Sequence, residues 1–107
     1  MYKGVDIEPE YLESLKELLR RHVPNAEVWA YGSRVSGGGH DSSDLDIVLR
    51  NPDDLNKPQE NLIELRDALS ESDIPTLVDA LDWARIPESF RANIEKRYEV
   101  VQKAGGG

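Results

Sequence analysis

A small mixed α+β fold is predicted for this chain of 107 residues, with a three-stranded sheet and helices packed mainly on one of its faces. Three observations predict it. Runs of β-formers at Glu27–Tyr31, Asp46–Arg50 and Thr76–Trp83 are separated by longer segments, and leucines recur at helical spacing before the first run and again between the second and third. The link between the first two runs is short, which favours an antiparallel pair, whereas the helix between the second and third favours a parallel crossover. A chain of this length buries one modest core, so residues 1–107 are expected to form a single domain, with 103–107 a flexible tail.

The elements follow in order. Pro9 suits the first position of a helix, because its missing N–H would be unpaired there anyway, and Leu12, Leu15, Leu19 and Val23 then mark one apolar face. The helix should stop between His22 and Pro24, where His22 favours the negative end of the helix dipole. Glu27-Val-Trp-Ala-Tyr31 and Asp46-Ile-Val-Leu-Arg50 read as the first two strands, with a loop carrying Gly37-Gly-Gly39 and His40 between them. A polar stretch over Asn51–Lys57 leads to a second helix expected from about Pro58, with Leu62, Leu65 and Leu69 inward. In the third strand Thr76, Val78, Ala80 and Asp82 share one face, and Leu77, Asp79, Leu81 and Trp83 the other. A last helix from Pro87 uses Phe90 and Ile94; Tyr98 and Val101 continue the spacing, although Val100-Val101 suits the start of a terminal strand equally.

Charge and composition narrow the chemistry. With 13 basic against 21 acidic residues the formal charge is −8, which disfavours direct nucleic-acid binding and favours a basic protein surface as partner. The absence of cysteine rules out disulfides, thiolate metal sites and a cysteine nucleophile. No long apolar run or signal-like start is found, so a soluble, cytoplasmic protein is expected, without a membrane partner.

The functional signal lies at Gly32-Ser33, ten intervening residues, then Asp44-Leu-Asp46. Gly32 lets backbone approach a ligand closely, and Ser33 supplies a hydroxyl and suits the start of a short helix over Arg34–Ser36, whose free N–H groups would favour phosphate. Arg34 adds a cation. Strand alternation places Asp44 and Asp46 on one side, roughly 6–7 Å apart along the backbone. Two carboxylates there repel each other unless a divalent cation intervenes, and Mg²⁺ favours one or two carboxylates together with substrate phosphate oxygens. A turn glycine and a strand-initial aspartate are each ordinary separately; their combination between two strands points to metal-dependent chemistry on a nucleotide. Asp79, a charge in mid-strand between Val78 and Ala80, is favoured as a third carboxylate over Asp82, which lies nearer the strand's end.

These residues resemble the DNA polymerase β-type nucleotidyltransferase superfamily, in its minimal nucleotidyltransferase branch. The resemblance runs from the first helix to the last. It implies a palm-like sheet, Gly32 and Ser33 at the nucleotide triphosphate beside Arg34, which its charge alone assigns there, two Mg²⁺ ions held by Asp44 and Asp46, and Asp79 completing the metal site and activating the acceptor hydroxyl. It further implies an antitoxin that transfers AMP from ATP to a tyrosine of a HEPN ribonuclease toxin and forms a hetero-oligomer with it. The consecutive glycines at 37–39 depart from the loop usual in relatives. Two alternatives remain: a noncatalytic antitoxin or nucleotide-sensing subunit, and a nucleotidyltransferase acting on a small molecule. The latter usually requires a second domain to hold the acceptor, for which this short chain leaves little surface.

Overall fold

The computed structural model describes residues 7–32, 35 and 44–104. Ser33, Arg34, the Gly37–Gly39 triplet, His40 and the terminal Gly105–Gly107 lie outside the described residues. The elements are α1 (Pro9–His22), β1 (Glu27–Tyr31), β2 (Leu45–Arg50), α2 (Leu62–Ser70), β3 (Val78–Asp82), a 3₁₀ turn (Trp83–Arg85), α3 (Glu88–Lys96) and β4 (Glu99–Gln102).

The sheet has four strands in the order β3-β2-β1-β4, one more than expected. β1 and β2 are antiparallel and β2 and β3 parallel, as the two connections require. The added strand, β4, runs antiparallel to β1 on its free side. Residues 98–102 therefore do not extend the last helix: Arg97 is already extended, and Tyr98 stacks on Trp29 with ring centroids 3.7 Å apart. Pairing with the β1 backbone and stacking on an aromatic ring both compete with a further helical turn.

One sheet face carries the larger core. Val28 and Ala30 of β1, Leu45, Ile47 and Leu49 of β2, Ala80 of β3 and Val101 of β4 meet Leu15 and Leu19 of α1 and Leu62, Leu65 and Leu69 of α2. The opposite face buries Trp29, Tyr31 and Val48 against Trp83 and Ile94, with Phe90 partly covered beside them. α1 and α2 thus share a face, while α3 covers only part of the other. At one end of that second face the Arg50 guanidinium lies 3.9 Å from the Trp29 ring and 4.6 Å from the Trp83 ring, and pairs with Glu27. Its partner face near α3 stays open beside β2 and β3.

α2 begins later than the Pro58 signal suggests, and the cause is long-range hydrogen bonding. The Asn51 side chain donates to the Lys57 carbonyl, Gln59 N–H donates to Asp82 at 2.9 Å, and Asn61 donates to the His22 carbonyl at 3.0 Å. These partners hold 57–61 as a turn that ties the ends of α1 and β3 together. No described helix is long and apolar enough to cross a membrane.

Candidate functional site

Strand register brings the aspartates together. Asp46 lies opposite Tyr31 on the antiparallel side and opposite Asp79 on the parallel side. All three point to the face that α3 leaves partly open, since Ile47 and Ala80, their chain neighbours, point into the α1/α2 core. Asp44, exposed just before β2, is close enough for its charge to be felt at Asp46. The expected trio of Asp44, Asp46 and Asp79 thus gathers on one side of the sheet.

Asp82 does not belong to it. Only 3% exposed, it accepts hydrogen bonds from Gln59 N–H at 2.9 Å and Ala84 N–H at 3.2 Å, and Arg85 approaches at 3.4 Å. Its carboxylate is occupied in capping the 3₁₀ turn and anchoring the 57–61 turn, on the opposite face from Asp79.

Gly32 closes the first strand in a conformation that suits glycine, with φ +87°. A Cβ at this position would lie 2.7 Å from Asp46 Oδ2. The backbone therefore passes directly against a site carboxylate, and the chain turns there, with Val35 N–H donating to the Gly32 carbonyl at 3.0 Å and the Val35 side chain buried. Ser33 and Arg34, the other two residues expected at phosphate, are outside the described residues.

The electrostatics of the group are those of crowded negative charge. The Asp46 carboxyl is raised above the ordinary aspartate range, first by burial and then by the charges of Asp79 and Asp44. Burial, followed by the same two strand carboxylates Asp46 and Asp79, also raises the Tyr31 phenol, which therefore stays protonated as a neutral donor. Among the described residues no three His, Asp or Glu side chains converge tightly enough to cage an ion alone. This donor set still fits Mg²⁺ of the kind shared with a substrate, because that ion takes one or two carboxylates and completes its shell with phosphate oxygens and water.

A cleft of about 490 Å³ opens at the carboxylates, lined by Gly32, Asp46 and Asp79 on the sheet side and by Phe90, Asn93 and Arg97 from α3 and its end. Sequence reasoning did not single out Asn93 or Arg97. Asn93 lies on α3 and Arg97 just past its end, and only the packing of that helix against the sheet brings the two to the cleft. A larger depression of about 620 Å³ lies at the far ends of β1 and β2, by Asn51 and Asn61. There the Asn51 and Asn61 amides already donate to main-chain carbonyls, and the lining carboxylates Asp53, Asp54 and Glu60 are exposed in the loop rather than set against each other in a strand register.

The chain is similar to known proteins in both sequence and fold. A family model described as the central palm domain of mitochondrial-like poly(A) RNA polymerase matches residues 5–98. Over 102 residues the chain is 42% identical to the probable protein adenylyltransferase MntA of Haemophilus influenzae, covering 95% of this chain and 88% of that protein. Among solved structures it is similar to a toxin–antitoxin crystallised with AMP-PNP, at a TM-score of 0.69 and 21% identity over 87% of this chain and 73% of that one. A mutant of the toxin–antitoxin MntA-HpeT gives the same TM-score and coverage at 19% identity. At such identities these two likenesses bear on the fold.

Proposed function

The chain belongs to the nucleotidyltransferase palm family, in its minimal MntA branch, and from that premise we propose that it is a Mg²⁺-dependent adenylyltransferase acting on a partner toxin. ATP is the nucleotide, and the acceptor is a tyrosine hydroxyl of a HEPN-type ribonuclease with which the chain forms a hetero-oligomer in the cytoplasm. Residues 1–107 act as one catalytic domain. The observation that carries this reading is the register of Asp46 against Asp79 beside the positive-φ turn at Gly32, with Asp44 on the same side.

Gly32 leaves room for the phosphate chain where any side chain would strike Asp46, and Ser33 and Arg34 follow it as phosphate contacts. Asp44 and Asp46 would hold Mg²⁺, with Asp79 completing the set. When bound, the metal neutralises phosphate charge and lowers the pKa of the attacking hydroxyl. The acceptor oxygen attacks the α-phosphorus, the bond to the β-phosphate breaks, and pyrophosphate leaves with its electron pair. Asp79, exposed on the outer strand, takes the proton of the acceptor hydroxyl and passes it to solvent. Tyr31, kept neutral, borders the site as a hydrogen-bond donor.

Incubating the protein with labelled ATP, Mg²⁺ and the product of the neighbouring gene tests the proposal. Covalent AMP on a toxin tyrosine, absent with Asp46→Asn, is the expected result. Tight complex formation without label would instead identify an antitoxin that acts by binding alone.

A further inference from the structure

We infer that Arg97, with Asn93 one turn before it, forms a second wall of the nucleotide site and contacts the phosphate chain from the side opposite Gly32. The inference rests on the adenylyltransferase reading above and adds to it a residue from the far end of the chain.

Three observations lead there. Arg97 and Asn93 line the same cleft as Gly32, Asp46 and Asp79. Arg97 is the single cation among the described residues lining that cleft, where it shares the lining with the carboxylates of Asp46 and Asp79. None of the ion pairs formed among the described residues uses Arg97, so its guanidinium is not committed to Asp79 or to a helix neighbour.

An arginine that shares a cleft with carboxylates yet does not pair with them is placed for a third charged body between them. A phosphate chain meets that description: its charge suits a cation that Asp44 and Asp46 would hold, and its oxygens suit the guanidinium in the two-pronged geometry that arginine favours for phosphate. The backbone supports such reach. α3 ends at Lys96, and Arg97 leaves it in extended conformation, held by its N–H to the Ile94 carbonyl at 3.1 Å, so the side chain springs from a fixed point beside the buried Ile94. The same helix contributes Phe90, whose ring meets Tyr31 edge-on at 5.9 Å, giving the cleft an apolar floor between its polar walls.

A purely structural role is also available to Arg97, since a cation at a helix C-terminus favours the helix dipole. That role predicts a change in stability and none in ligand affinity. The two are separated by titrating Mg²⁺·AMP-PNP and, separately, adenosine into the wild-type protein, Arg97→Ala and Arg97→Lys, with thermal melts of all three. Arg97→Ala is expected to bind AMP-PNP about tenfold more weakly, the worth of one charge-assisted hydrogen bond, with adenosine affinity unchanged and Arg97→Lys intermediate. Equal AMP-PNP affinity in wild type and Arg97→Ala overturns the assignment of Arg97 while leaving the adenylyltransferase reading intact. An equal loss for adenosine overturns the phosphate contact, and failure of the wild type to bind AMP-PNP overturns both.

Discussion

Replacing Gly32 by alanine tests whether turn geometry and carboxylate placement are one device. An L-residue at φ +87° carries a backbone cost of about 1–2 kcal/mol. In a chain of this size that corresponds to a fall in melting temperature of roughly 5–15 °C. The new methyl would also stand 2.7 Å from Asp46 Oδ2, and ordinary contact begins at 3.4 Å, so the carboxylate must retreat by about 0.7 Å. Misplacing a reacting group by about 1 Å costs on the order of a hundredfold in rate, so AMP transfer by the folded variant should fall between about ten- and a hundredfold. Thermal melts followed by transfer assays well below the lower melting temperature measure both effects. A variant that melts early but transfers AMP at the wild-type rate would show that the turn serves the fold alone, and the coupling argued from the 2.7 Å approach would be wrong.

Asp46→Asn should behave oppositely, losing transfer without losing stability. Because burial and two carboxylates raise the folded-state pKa of Asp46, its ionisation opposes folding: the penalty is absent below the unfolded value, sets in as pH rises through the raised folded value, and is full above it. In metal-free buffer the melting temperature of Asp46→Asn relative to wild type should therefore increase from about pH 4 to pH 8, and a flat difference would contradict the crowding. Asp79→Asn should melt near wild type yet fail to transfer AMP. Asp82→Asn should lose about 1–3 kcal/mol, because its buried hydrogen bonds to Gln59 and Ala84 are charge-assisted, while the folded fraction keeps its rate. Loss of transfer in fully folded Asp82→Asn, with Asp79→Asn active, would exchange the two assignments.

What was legible in the sequence is what short-range physics dictates. Glu27–Tyr31 forms β1 over the predicted residues, and the period-two alternation of β3 separates Asp79 from Asp82 correctly, because a strand has no choice about which face each side chain takes. What was not legible depends on partners far along the chain. Pro58 is a sound helix opener, but hydrogen bonds from Asn51, Asn61 and Gln59 to distant groups delay α2 to Leu62. Phe90, Ile94, Tyr98 and Val101 imitate a continuous helical face, whereas β1 offers its free edge to Glu99–Gln102 and Trp29 offers its ring to Tyr98. Arg97 was overlooked for the same reason: it lies just past the end of α3, and only the packing of that helix against the sheet brings it to the cleft of the carboxylates.

The position of Asp79 explains why a chain this small would act on a macromolecule. In the order β3-β2-β1-β4 the strand that carries Asp79 is the outermost, and the residue is exposed. Gly32, Asp46 and the end of α3 line the same cleft, so Asp79 is the site carboxylate that an acceptor reaches from the β3 edge. Addition of a partner strand along that edge is opposed by Arg66, which donates to the Ala80 carbonyl through both Nε at 3.2 Å and Nη2 at 2.7 Å and so occupies an acceptor that strand pairing needs. A projecting side chain can pass where a strand cannot. A tyrosine borne on a partner's surface is long enough to reach past that edge and present its hydroxyl to Asp79, which stands exposed on the outer strand.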